Sequence, residues 1–236
     1  MKILGMDSSG LVASVAVVEN DILVAEYTVN HKKTHSQTLL PMLDEVVKMA
    51  ELQLDSIDAI AVAAGPGSFT GLRIGAATVK ALGLAIDKPV VSVPTCAGLA
   101  YNMWGTDKMV CPILDARRNQ VYTGVYQFEN GQLITVMEQD AMSIDELVEY
   151  LNQLGKEVIF VGDGIPVYKA FIEEHLKVKF LFAPAGFNRQ RASSVATLGA
   201  RLYEEGKFES ADDHKPIYLR KSQAEREREE QLKAGQ

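Results

Sequence analysis

The stretch AAGPGSFTGLRIG, residues Ala63 to Gly75, crowds four glycines and one proline into a turn between a strand and a helix. The apolar run over residues 60–64 suits a buried strand, and Ser68 or Thr70 can cap the helix that follows. A strand, a glycine turn and a helix N-terminus together favour an anion site. The turn is not a P-loop, however, because no Lys-Ser/Thr pair follows its last glycine.

Small residues continue along the same helix at every fourth position, at Gly71, Gly75, Val79 and Gly83. Residues four apart lie on one face of a helix, and each interior glycine costs about 0.5 to 1 kcal/mol relative to alanine. A cost repeated along one face indicates close contact with another helix, within the fold or in a partner chain.

Composition excludes several classes of protein. The chain has 236 residues, 47% of them apolar, which suffices for one large core or two modest lobes. Its formal charge of -7 argues against a broad surface for nucleic-acid phosphates. Asp7 interrupts the N-terminal apolar run too early for a signal peptide, and no apolar stretch is expected to reach the length of a membrane span. We therefore expect a cytoplasmic protein with no membrane contact, and we interpret Cys96 and Cys111 as core residues.

The order of predicted elements occurs twice, with an offset of about 110 residues. In each copy, an apolar strand ends at an aspartate, Asp7 or Asp115, and two further strands complete a meander. An amphipathic helix, a strand, a helix and a short strand follow. The predicted fold is therefore α/β, with duplicated β-β-β-α-β-α lobes. This plan resembles the actin, sugar-kinase and chaperone ATPase (ribonuclease H-like) architecture. The predicted strands span residues 3–6, 13–18, 22–29 and 57–63 in the first copy, and 110–114, 121–128, 132–138 and 157–161 in the second.

These elements predict the domain organisation. Residues 1–102 form the first lobe and residues 103–189 the second. The apolar positions of a last long helix near residues 192–206 indicate that it braces the first lobe. The charged segment 222–236 alternates in sign without apolar periodicity, so we expect a solvated helix or disorder there.

In ATPases of this architecture, the turns after the two first strands bind phosphate. The first turn, Asp7-Ser8-Ser9-Gly10, keeps short polar side chains and a flexible glycine. In the second, Asp115 is followed by bulky side chains and two arginines. We expect no required cofactor, and weak binding of an anion or nucleotide by Asp7, Ser8, Ser9 and Arg117 is the alternative that these residues leave open. A small-molecule kinase or ATPase remains the alternative function.

Six motifs occur in order along the chain: MDSS (6–9), HSQTLLP (35–41), GPGSFTGLRIG (65–75), VPTCAGLA (93–100), LDARRNQVY (114–122) and PIYLRKSQAERE (216–227). Together they resemble the bacterial TsaB family, also called YeaZ. The resemblance implies a subunit of the complex that forms N6-threonylcarbamoyladenosine next to the anticodon of tRNAs reading codons that begin with A. It also implies a TsaD-like catalytic paralogue and a TsaE-like small ATPase as partners, a homodimer when alone, and contact with tRNA only through the complex.

The metal site of the catalytic paralogue is missing from this chain. That paralogue carries a His-x-x-x-His pair, and the resemblance aligns Thr95 and Leu99 with the two histidines. Neither side chain replaces an imidazole as a ligand for a borderline transition metal. We therefore expect no catalytic residue, no metal site and no tRNA-modifying activity of the chain by itself, while residual ATPase activity is left open.

A partner surface is predicted where two consecutive helices lie side by side. On the helix after the glycine turn, the glycine stripe lets another helix approach closely. On the helix of HSQTLLP, apolar side chains offer anchors. The residues assigned to this surface are His35, Leu39, Met42, Leu43, Gly71, Arg73 and Gly75.

Overall fold

Two mixed sheets of five strands each form the core of the computed structural model, which describes residues 1–31 and 34–220. The predicted charged tail, 222–236, lies outside the described residues. The first unit comprises β1 (Lys2–Asp7), β2 (Val12–Glu19), β3 (Ile22–Asn30), α1 (His35–Met49), β4 (Ala59–Gly65), α2 (Phe69–Ile86) and β5 (Val90–Pro94). The chain continues with α3 (Thr95–Ala100), β6 (Met109–Asp115), β7 (Gln120–Glu129), β8 (Gln132–Ser143), α4 (Ile144–Leu154), β9 (Val158–Val161), α5 (Ile165–His175), β10 (Phe180–Phe182) and α6 (Ala192–Glu204). Short 3-10 turns lie at Leu54–Ser56 and Tyr101–Met103.

The two sheets have the same topology. The strand order is β3-β2-β1-β4-β5 in the first sheet and β8-β7-β6-β9-β10 in the second. In each, the first three strands are antiparallel and the last two lie parallel to the first strand. The predicted duplicated α/β architecture is thereby confirmed, and Asp7 and Asp115 end the central strands of their sheets.

Both faces of the first sheet are covered by helices. Helix α1 packs on β2 from one side, and α6 packs on β1, β2 and β4 from the other. Strand β2 is therefore buried along nearly its whole length, as expected for a strand between two helical layers. Helix α6 returns to this sheet from the far end of the chain, and Val195 and Ala196 join its apolar cluster.

The packing boundary between the lobes differs from the boundary in sequence near residue 102. Helix α3 follows the last strand of the first sheet, but Cys96, Leu99 and Ala100 cluster with Val110 and Leu114 of β6. This helix therefore buries its apolar side chains against the second lobe and ties the two sheets together.

Two strands differ from their predicted bounds by two residues or more. Strand β4 lies two residues later than predicted, and β8 extends to Ser143 rather than ending at residue 138. The polar residues after 138 resemble a loop in sequence, yet they pair with β7 beyond two register shifts. One of these polar residues, Gln139, is held by the first lobe. Its side-chain amide donates to the carbonyl of Gly65 at 3.0 Å and accepts from the backbone amide of Cys96 at 3.3 Å.

Helix α2 also corrects an expectation about membranes. Over residues Phe69–Ile86 it is long and apolar enough, by length and composition, to cross a membrane. The expectation that no stretch reaches this length is therefore wrong. Glycine, alanine and aliphatic residues make up most of the helix, and its buried side, which includes Leu72 and Val79, packs on the first sheet.

Candidate functional site in the interlobe cleft

A cleft of about 670 Å³ opens between the carboxyl ends of the two central strands. The first lobe contributes the β1–β2 turn and the β4–α2 turn, and the second contributes the β6–β7 turn and Asp163 after β9. In open α/β sheets, ligands bind outside the carboxyl ends of the strands. The C-terminal segment reaches this cleft too, through Arg220.

The first turn is filled by the protein's own contacts. Asp7 accepts hydrogen bonds from the amide and the hydroxyl of Ser9 at 2.8 and 2.7 Å. The Ser8 hydroxyl donates to the carbonyl of Gly71 at 2.9 Å, and the Ser68 amide donates to the carbonyl of Ser9 at 2.7 Å. Asp7, Ser8 and Ser9 are all buried, and of the three only Ser9 lines the cleft. Polar groups that phosphate loops direct at a ligand are here used within the fold.

Burial also changes the protonation of this turn. The loss of water around Asp7 raises the pKa of its carboxyl from 3.8 to about 6, although the hydrogen bonds from Ser9 act in the opposite direction. Asp7 therefore acts in this fold as a buried acceptor that shapes the turn.

The second turn is more open. Arg117 is 86% exposed at its side chain, lies 3.3 Å from the carboxylate of Asp115, and lines the cleft. Asp115 also accepts from its own turn, through the Arg117 amide at 2.9 Å, and from the hydroxyl of Tyr168 at 3.3 Å. The four residues predicted to bind an anion therefore do not meet at one place. Ser9 and Arg117 line the cleft from different lobes, whereas Asp7 and Ser8 are buried and do not line it. Nucleotide binding by these residues stays a prediction.

Two cleft residues were missed in the sequence. Asp163 accepts the amide of Asp115 at 3.2 Å, and burial raises the pKa of its carboxyl while that hydrogen bond opposes the shift. Arg220 donates to the carbonyl of Ala116 at 2.7 Å. A signal for Asp163 existed, since the repeat aligns its Gly-Asp-Gly turn after β9 with the glycine turn after β4. Arg220 stands in the last of the six motifs but far from the cleft in sequence.

The predicted partner surface needs a correction at its apolar anchors. Leu39, Met42 and Leu43 are buried in the core of the first lobe, where they pack with Met6 and Val15. They contribute to the stability of this lobe, so they are not available as exposed anchors. Two large apolar side chains of α1 are exposed instead, Leu40 at 57% and Met49 at 81%.

The glycine stripe faces inward as well. A Cβ on Gly71 would overlap the carbonyl oxygen of Ser8, and one on Gly75 would lie 2.6 Å from the Ser8 hydroxyl. The expectation that these glycines accept a partner helix is therefore wrong. They let α2 approach the β1–β2 turn, and bulk at Gly75 would disturb the fold itself.

His35 and Arg73 lie nearer the surface, as their rim positions require. The Nε2 of His35 is 2.7 Å from the carbonyl oxygen of Gly10, while its Nδ1 is buried without a hydrogen-bond partner in the described part of the chain. Arg73 is exposed, and its guanidinium lies 5.8 and 6.0 Å from the ring centroids of Phe69 and Tyr218. Their assignment to a partner interface stays a prediction.

The positions aligned with metal-binding histidines are structural. Thr95 and Leu99 are buried, and the Thr95 hydroxyl accepts the amide of Gly65 at 3.1 Å. Within residues 1–31 and 34–220, no group of three or more His, Cys, Asp or Glu side chains is placed to hold a metal ion. The interpretation of Cys96 and Cys111 as core residues is confirmed: both thiols are buried, neither forms a disulfide, and burial raises the pKa of Cys111 to about 12.

Comparison with known proteins agrees with this architecture. The profile of the TsaD family, described as tRNA N6-adenosine threonylcarbamoyltransferase, matches residues 23–228. The chain is 35% identical to the tRNA threonylcarbamoyladenosine biosynthesis protein TsaB of Bacillus subtilis, covering 95% of this chain and 96% of that protein. It is 29% identical to the Escherichia coli TsaB, again covering 95% and 96% of the two chains.

A solved structure extends the similarity to three dimensions. YeaZ from Pseudomonas aeruginosa superposes with a TM-score of 0.77 at 26% identity, covering 92% of this chain and 99% of that one. Sequence and structure thus agree over nearly the full length of both chains. The chain belongs to the TsaD-like family and, within it, to the TsaB (YeaZ) proteins.

Proposed function

We propose that this chain is a non-catalytic assembly and activation subunit in the formation of N6-threonylcarbamoyladenosine on tRNA. Thr95 carries the proposal, because the position aligned with a metal-binding histidine of the catalytic paralogue is buried and its hydroxyl satisfies the Gly65 amide. A side chain committed to a buried backbone amide is not free to bind a metal, and its removal would leave that amide unpaired. The chain therefore stabilises a paralogue rather than performing the transfer itself.

The proposed partners follow from the same role. A TsaD-like catalytic paralogue binds this chain directly, and a TsaE-like small ATPase joins the pair. In the absence of the paralogue the chain forms a homodimer, and tRNA is bound through the complex. The work takes place in the cytoplasm, and the chain requires no cofactor of its own.

The partner surface is formed by the outward side of α1 and α2. On α2, the exposed positions Arg73, Ala77, Ala81 and Leu84 follow one another at spacings of three or four residues, so they form one stripe. The alanines supply the small side chains that allow a partner helix to pack closely. The glycines of α2 do not have this role, because they face the β1–β2 turn. Leu84 is 60% exposed, and Leu40 of α1 adds a second exposed apolar side chain.

Reconstitution tests the function. Formation of the modified adenosine is measured with the paralogue, the small ATPase, threonylcarbamoyl adenylate and tRNA, each omitted in turn. Product should require both this chain and the paralogue, and the chain alone should give none. Product formed by this chain without the paralogue would overturn the proposal.

The surface is tested by adding bulk and charge to the stripe. Ala77→Arg should weaken the complex with the paralogue by at least tenfold, because a packed apolar centre carries most of the affinity of an interface. The matched control is Ala170→Arg, which alters an exposed alanine of α5 in the other lobe. Equal affinity of the two variants for the paralogue, measured by calorimetry, would place the interface elsewhere.

A further inference from the structure

The β6–β7 turn carries two exposed arginines, of which Arg117 lines the cleft. We call residues 116–119, together with Arg220, the arginine turn. Arg117 is 86% exposed at its side chain, and Arg118 is exposed and has no hydrogen bond or ion pair with any residue in the ranges 1–31 and 34–220. Arg220 is fixed beside them, since one of its guanidinium nitrogens donates to the carbonyl of Ala116. Three arginines therefore lie in or against this one turn of a chain whose net charge is -7.

The fold holds this turn in an unfavourable conformation. Arg117, Arg118 and Asn119 have φ angles of 65°, 56° and 58°, a left-handed conformation that costs about 1 to 2 kcal/mol per residue and that only Asn adopts readily among these types. The nearby carboxylates are engaged by the turn: Asp115 accepts the Arg117 amide at 2.9 Å, and Asp145 accepts the Asn119 side chain at 3.1 Å. Asp115 also pairs with the Arg117 guanidinium at 3.3 Å, so Arg118 is the arginine of this turn that has no partner within residues 1–31 and 34–220.

An aromatic platform lies two residues before Arg220. The rings of Tyr218 and Phe69 stack with centroids 4.4 Å apart and planes 3° apart, and Arg73 lies over both. Phe69 lines the cleft, and Tyr218 keeps 39% of its surface exposed. Two residues of extended chain span at most about 7 Å, so the platform and the arginine turn belong to one surface.

We infer that the arginine turn and the Tyr218–Phe69 platform bind a single-stranded segment of RNA, with guanidinium groups on its phosphates and a base on the tyrosine ring. This inference rests on the proposed function, which supplies tRNA as the substrate of the complex. Unpaired RNA exposes bases that stack on aromatic rings and phosphates that arginine binds. An acidic surface of a partner protein would also pair with the arginines, but it would have no use for an exposed tyrosine ring beside them.

The two parts of the surface should respond differently to salt. The complex of this chain with the TsaD-like paralogue is titrated with tRNA at several salt concentrations. Arg118→Gln should weaken binding about fivefold at 0.1 M salt and reduce the slope of log K against log salt by about 0.7, the value for one single-strand phosphate contact. Tyr218→Ala should weaken binding by about tenfold, because a stacked base is lost, without changing that slope.

Three matched variants complete the test. Lys156→Gln removes one positive charge from an exposed site on the β9 side of α4, at the end of the second sheet away from the turn, and should change neither quantity. Arg118→Lys keeps the charge and should keep the slope, and Tyr218→Phe keeps the ring and should keep the affinity. Formation of the protein complex is measured on each variant without RNA.

The outcomes separate this inference from the function beneath it. Reduced tRNA affinity with the two salt signatures and an intact protein complex supports the inference. If Arg118→Gln instead weakens the complex with the paralogue, the turn is a protein contact and the inference is wrong. If all variants bind tRNA as the wild type does, the inference is wrong while the proposed function stands. A wild-type chain that neither joins the paralogue nor supports product formation would overturn both.

Discussion

Replacing Gly71 by alanine should reveal how tightly α2 is packed on the β1–β2 turn. An alanine Cβ at this position would overlap the carbonyl oxygen of Ser8 and would lie 3.3 Å from the Cδ2 atom of His35. The obstructing atom is backbone, so it moves only if the turn moves. Gly98 of α3 offers a matched control, because its added Cβ would lie 3.4 Å from the Val195 side chain, an ordinary contact.

The two substitutions should change stability in opposite directions. Alanine is favoured over glycine within a helix by about 1 kcal/mol, which applies to both sites. At Gly71, overpacking against the backbone costs about 3 kcal/mol, the upper part of the usual range, and leaves a net loss of about 2 kcal/mol. At Gly98, nothing opposes the gain, so stability should rise by about 0.5 to 1 kcal/mol.

Denaturant unfolding followed by circular dichroism measures both variants. The free energy of unfolding should fall for Gly71→Ala and rise for Gly98→Ala, with unchanged dependence on denaturant. A variant at Gly71 that is as stable as the wild type would show that the glycine stripe is not packed against this turn. The reasoning about an inward stripe would then fail, and the stripe would again be available to a partner.

Three further predictions concern buried polar groups. Because the folded pKa of Asp7 is raised from 3.8 to about 6, the free energy of unfolding of the wild type should fall by about 3 kcal/mol as the pH rises between these two values. Asp7→Asn should lack that loss when unfolding is measured at several pH values from 4 to 7. Burial would raise the pKa of Glu26, but hydrogen bonds from Arg191 and Ser193 lower it overall. Glu26→Gln should therefore reduce the free energy of unfolding by about 2 kcal/mol at pH 7. The difference between the variant and the wild type should shrink at acid pH, because the wild type itself loses stability there, and a difference independent of pH would contradict this. Thr95→Val should destabilise by about 1 to 3 kcal/mol through the unpaired Gly65 amide, whereas Thr95→Ser should be nearly neutral, and equal thermal midpoints for the two would count against the assigned hydrogen bond.

Local pattern was sufficient to predict the architecture. Alternating apolar runs that end at Asp7 and Asp115, followed by the same order of helices and strands, determine two similar sheets, because strand and helix periodicities are properties of neighbouring residues. The capping of α2 was predicted in the same way, and the Ser68 hydroxyl accepts the Gly71 amide at 3.3 Å. The six sequence motifs were sufficient to predict the family to which the chain belongs.

Which side of each helix faces inward was decided only by tertiary packing. The pattern of α2 contains two stripes of small residues, one through Gly71 and Gly75 and one through Ala77 and Ala81, and the sequence does not say which is buried. The stripe through Gly71 and Gly75 is the one that packs on the β1–β2 turn, because only a residue without a Cβ allows the backbone of Ser8 to approach so closely.

The cleft likewise depended on contacts between distant segments. Arg220 reaches the carbonyl of Ala116 across a separation of 104 residues, and Asp163 meets the amide of Asp115 across 48. The sequence determined which polar groups each turn carries, because turn chemistry is local. Whether a group such as Asp7 faces a ligand or a neighbouring hydroxyl was decided by burial, which arises only when the two lobes, α6 and the C-terminal segment pack together.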